Sequence, residues 1–391
     1  MLDEYMSNIG YTEEEKEMLK KTYRMTSYKN SDILYNFKNL VNYFHKSGFN
    51  NKDIKKITLI FPKITYTSTD TIKQKIKELN EFGINKIDTF NIIKDYPYII
   101  DISKGKIKNK FLFFASINLK TDKIIKIIKT KPEIINLDNS YIKKRINDFK
   151  EIGYKSKDII NIITTVPDLI EISISKINKK INDSMKLGLS KKDFINITSY
   201  LPELYIYENN KIENKIITLE KYGYRKEDII NIIKKIPIIL KHNYLNQIEA
   251  KLDNLKKHFD NNEIVEITIK NPYILLYSIE LINENYNNLV SLNFNENEIK
   301  KAILNQPIII GYNKNEIKDK VDFYKKNDLL NIIKENPKYL TYSLMLIQNR
   351  YKFLKYNNIS FDIIKNDLFE KDTYFYNKYN IKIDELIRGN Y

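Results

Sequence analysis

Apolar residues recur along the chain in short stripes separated by polar residues. One kind of stripe covers a single side of a helix, which is typical of a helix with one buried face. It is clearest in Ile159, Ile160, Ile162 and Ile163 and in Ile229, Ile230, Ile232 and Ile233. A second kind follows after a gap, as in Ile72 and Leu79, in Ile107, Phe111 and Phe114, in Ile142, Ile146 and Phe149, and in Ile177 and Ile181. The pattern predicts alternating helices, here named helix A and helix B.

The nine prolines give the period of this alternation. Eight of them are 35 residues apart, and the ninth follows after a five-residue deletion. They are Pro62, Pro97, Pro132, Pro167, Pro202, Pro237, Pro272, Pro307 and Pro337. Because proline ends a helix but suits the first turn of a new one, each should end helix A and open a short helical turn. We number the repeats 1 to 9 in the order of these prolines.

Residues that tolerate a left-handed backbone precede each of the first eight prolines by fourteen positions and should end helix B. These residues are Gly48, Gly83, Asn118, Gly153, Gly188, Gly223, His258 and Asn293. Capping boxes then start helix A, as in Asn50 with Asp53, Ser190 with Asp193, Asp260 with Glu263 and Asn295 with Glu298. Six residues after each proline, the expected N-caps of helix B are Ser68, Ser103, Asp138, Ser173, Glu208, Asn243, Ser278, Asn313 and Ser343.

A two-helix repeat cannot bury both of its apolar stripes alone, so neighbouring repeats must stack. The sequence therefore predicts an all-α solenoid of about nine 35-residue repeats, each with two helices and a short turn. The repeat array should span residues 48–357. Residues 1–47 and 358–391 hold degenerate half-repeats that should cap its two ends.

Composition adds a strong positive charge. The net charge is +16 and the pI is about 9.3, which favours a polyanionic partner such as nucleic acid. Codon usage in an AT-rich genome is a second source of this charge, since Lys, Ile, Asn and Tyr dominate. Absence of Cys excludes disulfides and thiolate metal sites, and no apolar run is long enough for a membrane span. Residues 1–5 lack the features of a signal or transit peptide, so we expect a cytoplasmic protein with no membrane partner.

Cations recur thirteen residues after most prolines, each in an Ile-x-x-Lys/Arg tetrad on helix B. This cation column contains Lys75, Lys110, Arg145, Lys180, Lys215, Lys251, Lys320 and Arg350, with Lys251 displaced by one residue and Asn285 in its place in repeat 7. Stacking would align these cations beside the buried stripe. They are our candidate nucleic-acid-binding residues, through contacts with phosphates.

An acidic column repeats as well and leaves two further interpretations open. It contains Asp53, Asp88, Asp158, Asp193, Asp228, Glu263, Glu298 and Asp328. The two columns could pair with each other, or the cations could simply be solvated. Flanking lysines make helix B most basic in the early repeats; they are Lys104, Lys106, Lys108, Lys143, Lys144, Lys176 and Lys179. Helix B of repeat 7 has Glu280 and Glu284 instead.

Catalytic chemistry finds no support in the sequence. His45, His242 and His258 share no metal-ligand or general-base spacing, and no phosphate-binding loop or nucleophile elbow is present. We therefore expect no enzymatic activity, no cofactor and no metal.

The repeat resembles that of the mitochondrial transcription termination factor (mTERF) family. The resemblance is carried by residues 187–204, with Leu187-Gly188-Leu189 and Leu201-Pro202-Glu203-Leu204, and by residues 152–170, with Ile152-Gly153-Tyr154 and Val166-Pro167-Asp168. It implies two α-helices and a 3₁₀ turn in each repeat, and a curved superhelix that holds nucleic acid along a basic concave surface. It also implies a role in transcription termination or regulation.

The leading hypothesis is a non-enzymatic, monomeric protein that binds duplex DNA or RNA mainly through phosphates. Base-specific contacts should be few because arginine is scarce. The alternative is a protein-interaction scaffold whose charge reflects codon bias.

Overall fold

The computed structural model describes residues 1–241, 244–291, 293–312 and 314–389, and every regular element in these ranges is helical. The first helix of each repeat ends just before the proline column. Helix A spans Asn51–Ile60, Lys86–Asp95, Thr121–Thr130, Ser156–Thr165, Lys191–Tyr200, Lys226–Lys235, Asn261–Lys270, Glu296–Asn305 and Leu330–Glu335 in repeats 1 to 9. The predicted period is confirmed.

A 3₁₀ turn begins at each proline and leads into helix B. The turns span Pro62–Tyr66, Pro97–Asp101, Pro132–Asn136, Pro167–Ile170, Pro202–Tyr205, Pro237–Leu240, Pro272–Leu276, Pro307–Gly311 and Pro337–Thr341. Helix B spans Thr69–Glu81, Lys104–Ser116, Asn139–Ile152, Ile174–Lys186, Asn209–Lys221, Tyr244–Leu255, Ile279–Ser291, Lys314–Lys326 and Leu344–Tyr356. The all-α repeat architecture is therefore as the sequence predicted.

Helix B ends in a left-handed residue in most repeats. Gly153 has φ +121°, and the N–H of Tyr154 donates to the Phe149 carbonyl at 3.1 Å, which is the Schellman bond. Asn118 and Asn293 take the same conformation with φ of 67° and 64°. His258 is an exception to the prediction, because its φ is not positive and the chain leaves the helix through a turn after Leu255.

Side-chain caps start most helices where expected. All four predicted capping pairs of helix A form; for example, the Asp53 N–H donates to Asn50 Oδ1 at 2.9 Å. Serine caps helix B in five repeats, as Ser68 does by accepting from the Thr71 N–H at 3.2 Å. Asp138 and Glu208 also take the predicted N-cap position of helix B, but neither forms a side-chain cap bond. The expected caps Asn243 and Asn313, and also His242, lie outside the described residues.

The core runs from repeat to repeat. Both apolar stripes are buried, and Phe114 and Phe149 are fully inaccessible, so these rings pack in the core. A tyrosine that follows helix B bonds a buried threonine on a later helix A: Tyr224 Oη lies 2.6 Å from Thr268 Oγ1, and Tyr154 bonds Thr198 in the same way. At these two places a buried hydroxyl pair adds to the apolar packing between helices.

The chain forms two compact units. The N-terminal unit contains Met1–Asn182 and Phe194–Tyr205, and the C-terminal unit contains Asp183–Asp193 and Ile206–Tyr391. Helices Leu2–Ile9, Glu13–Arg24 and Asn30–Lys46 precede repeat 1, and Phe361–Asp367, Asp372–Tyr379 and Ile383–Arg388 follow repeat 9. The boundaries at residues 48 and 357 stay predictions.

Candidate nucleic-acid interface

The cation column lies inside the protein and not on its surface. The eight side chains are between 0% and 9% exposed, and Arg350 is completely inaccessible. They are Lys75, Lys110, Arg145, Lys180, Lys215, Lys251, Lys320 and Arg350. The expectation of a solvent-exposed track through this column is therefore corrected, and a contact between these residues and phosphates stays an untested prediction.

Most of these cations donate hydrogen bonds to backbone carbonyls at the 3₁₀ turn of the next repeat. Lys215 Nζ lies 2.9 Å from the Ile239 carbonyl oxygen, Lys251 Nζ 2.8 Å from that of Leu275, and Lys320 Nζ 2.8 Å from that of Leu340. Lys75, Lys110 and Arg145 reach Ile102, Leu137 and Ile170 in the same way. Because the last carbonyls of a short helix lack partners within it, these cations cap the turns of repeats 2, 3, 4, 6, 7 and 9 from the preceding helix B.

Asn285 shows which property of the column matters here. Its amide Nδ2 donates to the Ile310 carbonyl at 2.9 Å and also to that of Tyr312, although the side chain carries no charge. Lys, Arg and Asn share N–H donors, so the property common to these contacts is a hydrogen-bond donor, with or without a charge. The Asn at this position was the signal in the sequence for this role, and we name the set of donors the latch column.

Burial changes the acidity of two latch lysines. Desolvation lowers the pKa of Lys110 to about 8 and that of Lys215 to about 8, because the charged ammonium loses water that the carbonyls only partly replace. The pKa values of Lys251 and Lys320 fall for the same reason. Each charge is thus held in the interior at a cost, which fits a structural role.

The acidic column makes its own contacts between repeats. Asp53 pairs with Lys94 at 2.9 Å, Asp88 with Lys129 at 2.6 Å and Glu263 with Lys300 at 2.8 Å, each across to the next helix A. Asp193 and Glu298 likewise pair with Lys234 and Lys334. The latch cations with a carboxylate partner use other residues: Glu78, Asp148, Glu316 and Asp372. The idea that the two columns pair with each other is therefore wrong for all of these pairs.

The flanking lysines of the early repeats, unlike the cation column, lie on the surface. All seven are exposed, and all lie on helix B of repeats 2, 3 and 4 in the N-terminal unit. Lys104 pairs with Glu81. The other six form no ion pair with any carboxylate in the described part of the chain, and we name them the basic ridge: Lys106, Lys108, Lys143, Lys144, Lys176 and Lys179.

The basic ridge is confined to these repeats. Helix B of repeat 2 has four lysines and no acidic residue. In the C-terminal unit the exposed residues on helix B include Glu280 and Glu284 in repeat 7 and Glu316 and Asp319 in repeat 8. Helix B therefore attracts anions in repeats 2 to 4, whereas it carries only acidic charges in repeat 7 and exposed charges of both signs, including Lys318, in repeat 8.

A scan of known families identifies these repeats. The mTERF family model matches residues 5–201 and again residues 185–373, which together cover nearly the whole chain. The chain belongs to the mTERF family. No curated protein matches its sequence significantly.

Membership of the mTERF family indicates a general kind of function. Proteins of this family are generally non-enzymatic helical-repeat proteins that bind nucleic acid and act in transcription termination or regulation. Across the described ranges, His, Cys, Asp and Glu nowhere cluster in a group that could hold a metal ion. No helix within the same ranges is long and apolar enough to cross a membrane.

Proposed function

We propose that this mTERF-family protein binds nucleic acid through the basic ridge and acts, without catalysing a reaction, in transcription termination or regulation. The observation that carries the proposal is the set of six exposed lysines without ion pairs on three successive copies of helix B. A lysine without a carboxylate partner keeps its charge available for a phosphate, and release of the phosphate's counterions then drives binding.

The ligand is duplex DNA or RNA contacted mainly at its backbone. Lysine presents a point charge to a phosphate, whereas bidentate recognition of a guanine edge normally uses arginine. The ridge has no arginine: Arg145 and Arg350 are buried in the latch column, and Arg225 pairs with Asp228 at 2.7 Å. Little base-sequence preference is therefore expected from the ridge.

Binding should depend steeply on salt. If all six ridge lysines contact phosphates, a log-log plot of the association constant for duplex DNA against salt should have a slope of about −5. Changing all six ridge lysines to Gln should flatten that slope by about five units and leave the helical circular dichroism spectrum unchanged. Fluorescence anisotropy with a labelled duplex, at several salt concentrations, measures both quantities.

The matched control variant has six other exposed lysines changed to Gln, all of them in the C-terminal unit. These are Lys226, Lys235, Lys257, Lys301, Lys325 and Lys326. The control variant has the same net charge as the ridge variant, so it should keep most of the salt slope. Equal loss of slope in both variants would contradict the ridge as the binding site and would favour non-specific attraction. No binding by the parent protein would favour the scaffold alternative.

A further inference from the structure

On one side of helix B, repeat 3 has an aromatic residue at a position where repeats 2 and 4 have lysine. Nine residues after the proline, repeats 2, 3 and 4 have Lys106, Tyr141 and Lys176, and all three side chains are exposed. Three residues further on, and therefore on the same side of the helix, repeats 3 and 4 have Lys144 and Lys179. A tyrosine thus takes the place of a cation in the middle of the ridge.

Tyr141 differs from the other rings of these helices. It is 39% exposed, whereas Phe113, Phe114 and Phe149 are buried and Phe111 is half-buried against Phe82. Among the described residues of the three ridge helices, it is the only exposed aromatic side chain. The guanidinium of Arg145, on the same helix, lies 6.0 Å from its ring centroid, at the outer limit of a cation–π contact.

In repeats 7 and 8 of the C-terminal unit, the residues at the same two positions are neither basic nor aromatic. Repeat 7 has Leu281 and Glu284, and repeat 8 has Glu316 and Asp319. A lysine–tyrosine–lysine arrangement therefore occurs where the exposed cations are concentrated. Exposed aromatic rings among cations are typical of surfaces that bind single strands, in which lysines contact the phosphates and rings stack on bases.

We propose that Tyr141 stacks on a nucleobase and that the ridge accepts a single-stranded segment of nucleic acid. This inference rests on the proposed function and adds a single strand to the duplex ligand named there. In a duplex each base is already stacked and paired, so its face is not available to the ring of Tyr141. In a single strand a base can turn toward the ring while the neighbouring phosphates lie on Lys106, Lys144 and Lys176.

Base stacking and phosphate contact make separable contributions to the binding affinity. Loss of a stacked ring costs about 5- to 100-fold in affinity and does not change the number of ions released. Tyr141→Ala should therefore weaken binding to oligothymidylate and oligouridylate by about fivefold or more, with an unchanged salt slope. Tyr141→Phe keeps the ring and should bind like the parent. Affinity for a blunt-ended duplex of the same length should be the same for all three proteins.

A tryptophan at position 141 would report the contact directly, because the chain has no Trp. The fluorescence of Tyr141→Trp should be quenched when oligothymidylate or oligouridylate saturates the protein, and it should not be quenched by the duplex. The control is Tyr273→Trp, since Tyr273 is 51% exposed and lies in the C-terminal unit. Its fluorescence should stay the same with every ligand.

The results separate this inference from the function on which it rests. If the six-lysine ridge variant loses binding while Tyr141→Ala binds single strands like the parent, the stacking role is overturned and the phosphate site stands. Absence of quenching in saturated Tyr141→Trp would overturn it as well. If the ridge variant binds as tightly as the parent, the proposed function itself fails.

Discussion

At the scale of single residues, a lysine in the sequence does not always place a charge on the protein surface. Lys108 and Lys110 are two positions apart on one helix, yet Lys108 is exposed and Lys110 is 4% exposed. The tetrad Ile-x-x-Lys places the cation three residues after a fully buried isoleucine, so it points toward the next repeat. The regular spacing of the latch column is visible in the sequence, but there it led to the hypothesis that these residues contact phosphates of nucleic acid.

Removal of one latch donor should destabilise the fold. Lys110 Nζ donates to Asn139 Oδ1 at 2.7 Å and to the Leu137 carbonyl. Lys110→Met keeps an apolar chain of similar length but leaves these acceptors without a donor, and we expect a loss of about 1–3 kcal/mol in the free energy of unfolding. Lys108→Met, on the exposed face, should change it by less than about 0.5 kcal/mol. Urea unfolding of both variants checks this, and equal stabilities would argue against the latch.

The latch lysines also predict how stability depends on pH. The folded pKa of Lys110 and of Lys215 is about 8, against an ordinary value of 10.5, so the unfolded chain binds more protons than the folded protein between these two values. Stability should therefore rise with pH from about 8 upward, and below pH 8 the full cost of the buried charges is present. A double variant, Lys110→Met with Lys215→Met, should show a smaller rise. Urea titrations between pH 7 and 9 stay below the range in which most unfolded tyrosines ionise.

At the scale of the helix, most of the fold could be predicted because local steric rules fix where each helix starts and stops. Proline cannot continue helix A, and a Gly or Asn suits the left-handed end of helix B. The prediction failed at His258, whose ring instead stacks on Tyr286 with 3.6 Å between centroids. That stacking partner lies 28 positions away in the sequence, and local rules do not contain it.

The left-handed helix ends allow a test with two glycines. Gly188 has φ +106°, and a Cβ there would lie 3.4 Å from Cγ1 of Ile230. Gly188→Val should lower the free energy of unfolding by about 1 kcal/mol or more, because a β-branched residue resists positive φ. Gly105, within helix B of repeat 2, has open space around its Cβ position, so Gly105→Ala should raise stability by about 0.5–1 kcal/mol. Thermal unfolding of both variants should give midpoints that shift in opposite directions.

At the scale of the whole molecule, the positive charge has two separable effects. The net charge of +16 draws any polyanion toward the protein from a distance, whereas the ridge holds it in contact. Composition alone predicted the first effect. The contact with the ridge could be predicted only from the structure, which shows which lysines are paired. Lys94 and Lys129 form ion pairs with Asp53 and Asp88, whereas Lys143 and Lys144 form none with the described carboxylates.

Binding kinetics should distinguish these two effects. The ridge variant and the C-terminal control variant, each with six lysines changed to Gln, have equal net charge, so their association rate constants should fall by similar factors at low salt. Only the ridge variant loses short-range contacts, so only its dissociation rate constant should rise strongly. Stopped-flow measurements with a labelled oligonucleotide, at two salt concentrations, give both constants. A ridge variant that dissociates as slowly as the control would show that the six lysines steer the ligand but do not hold it.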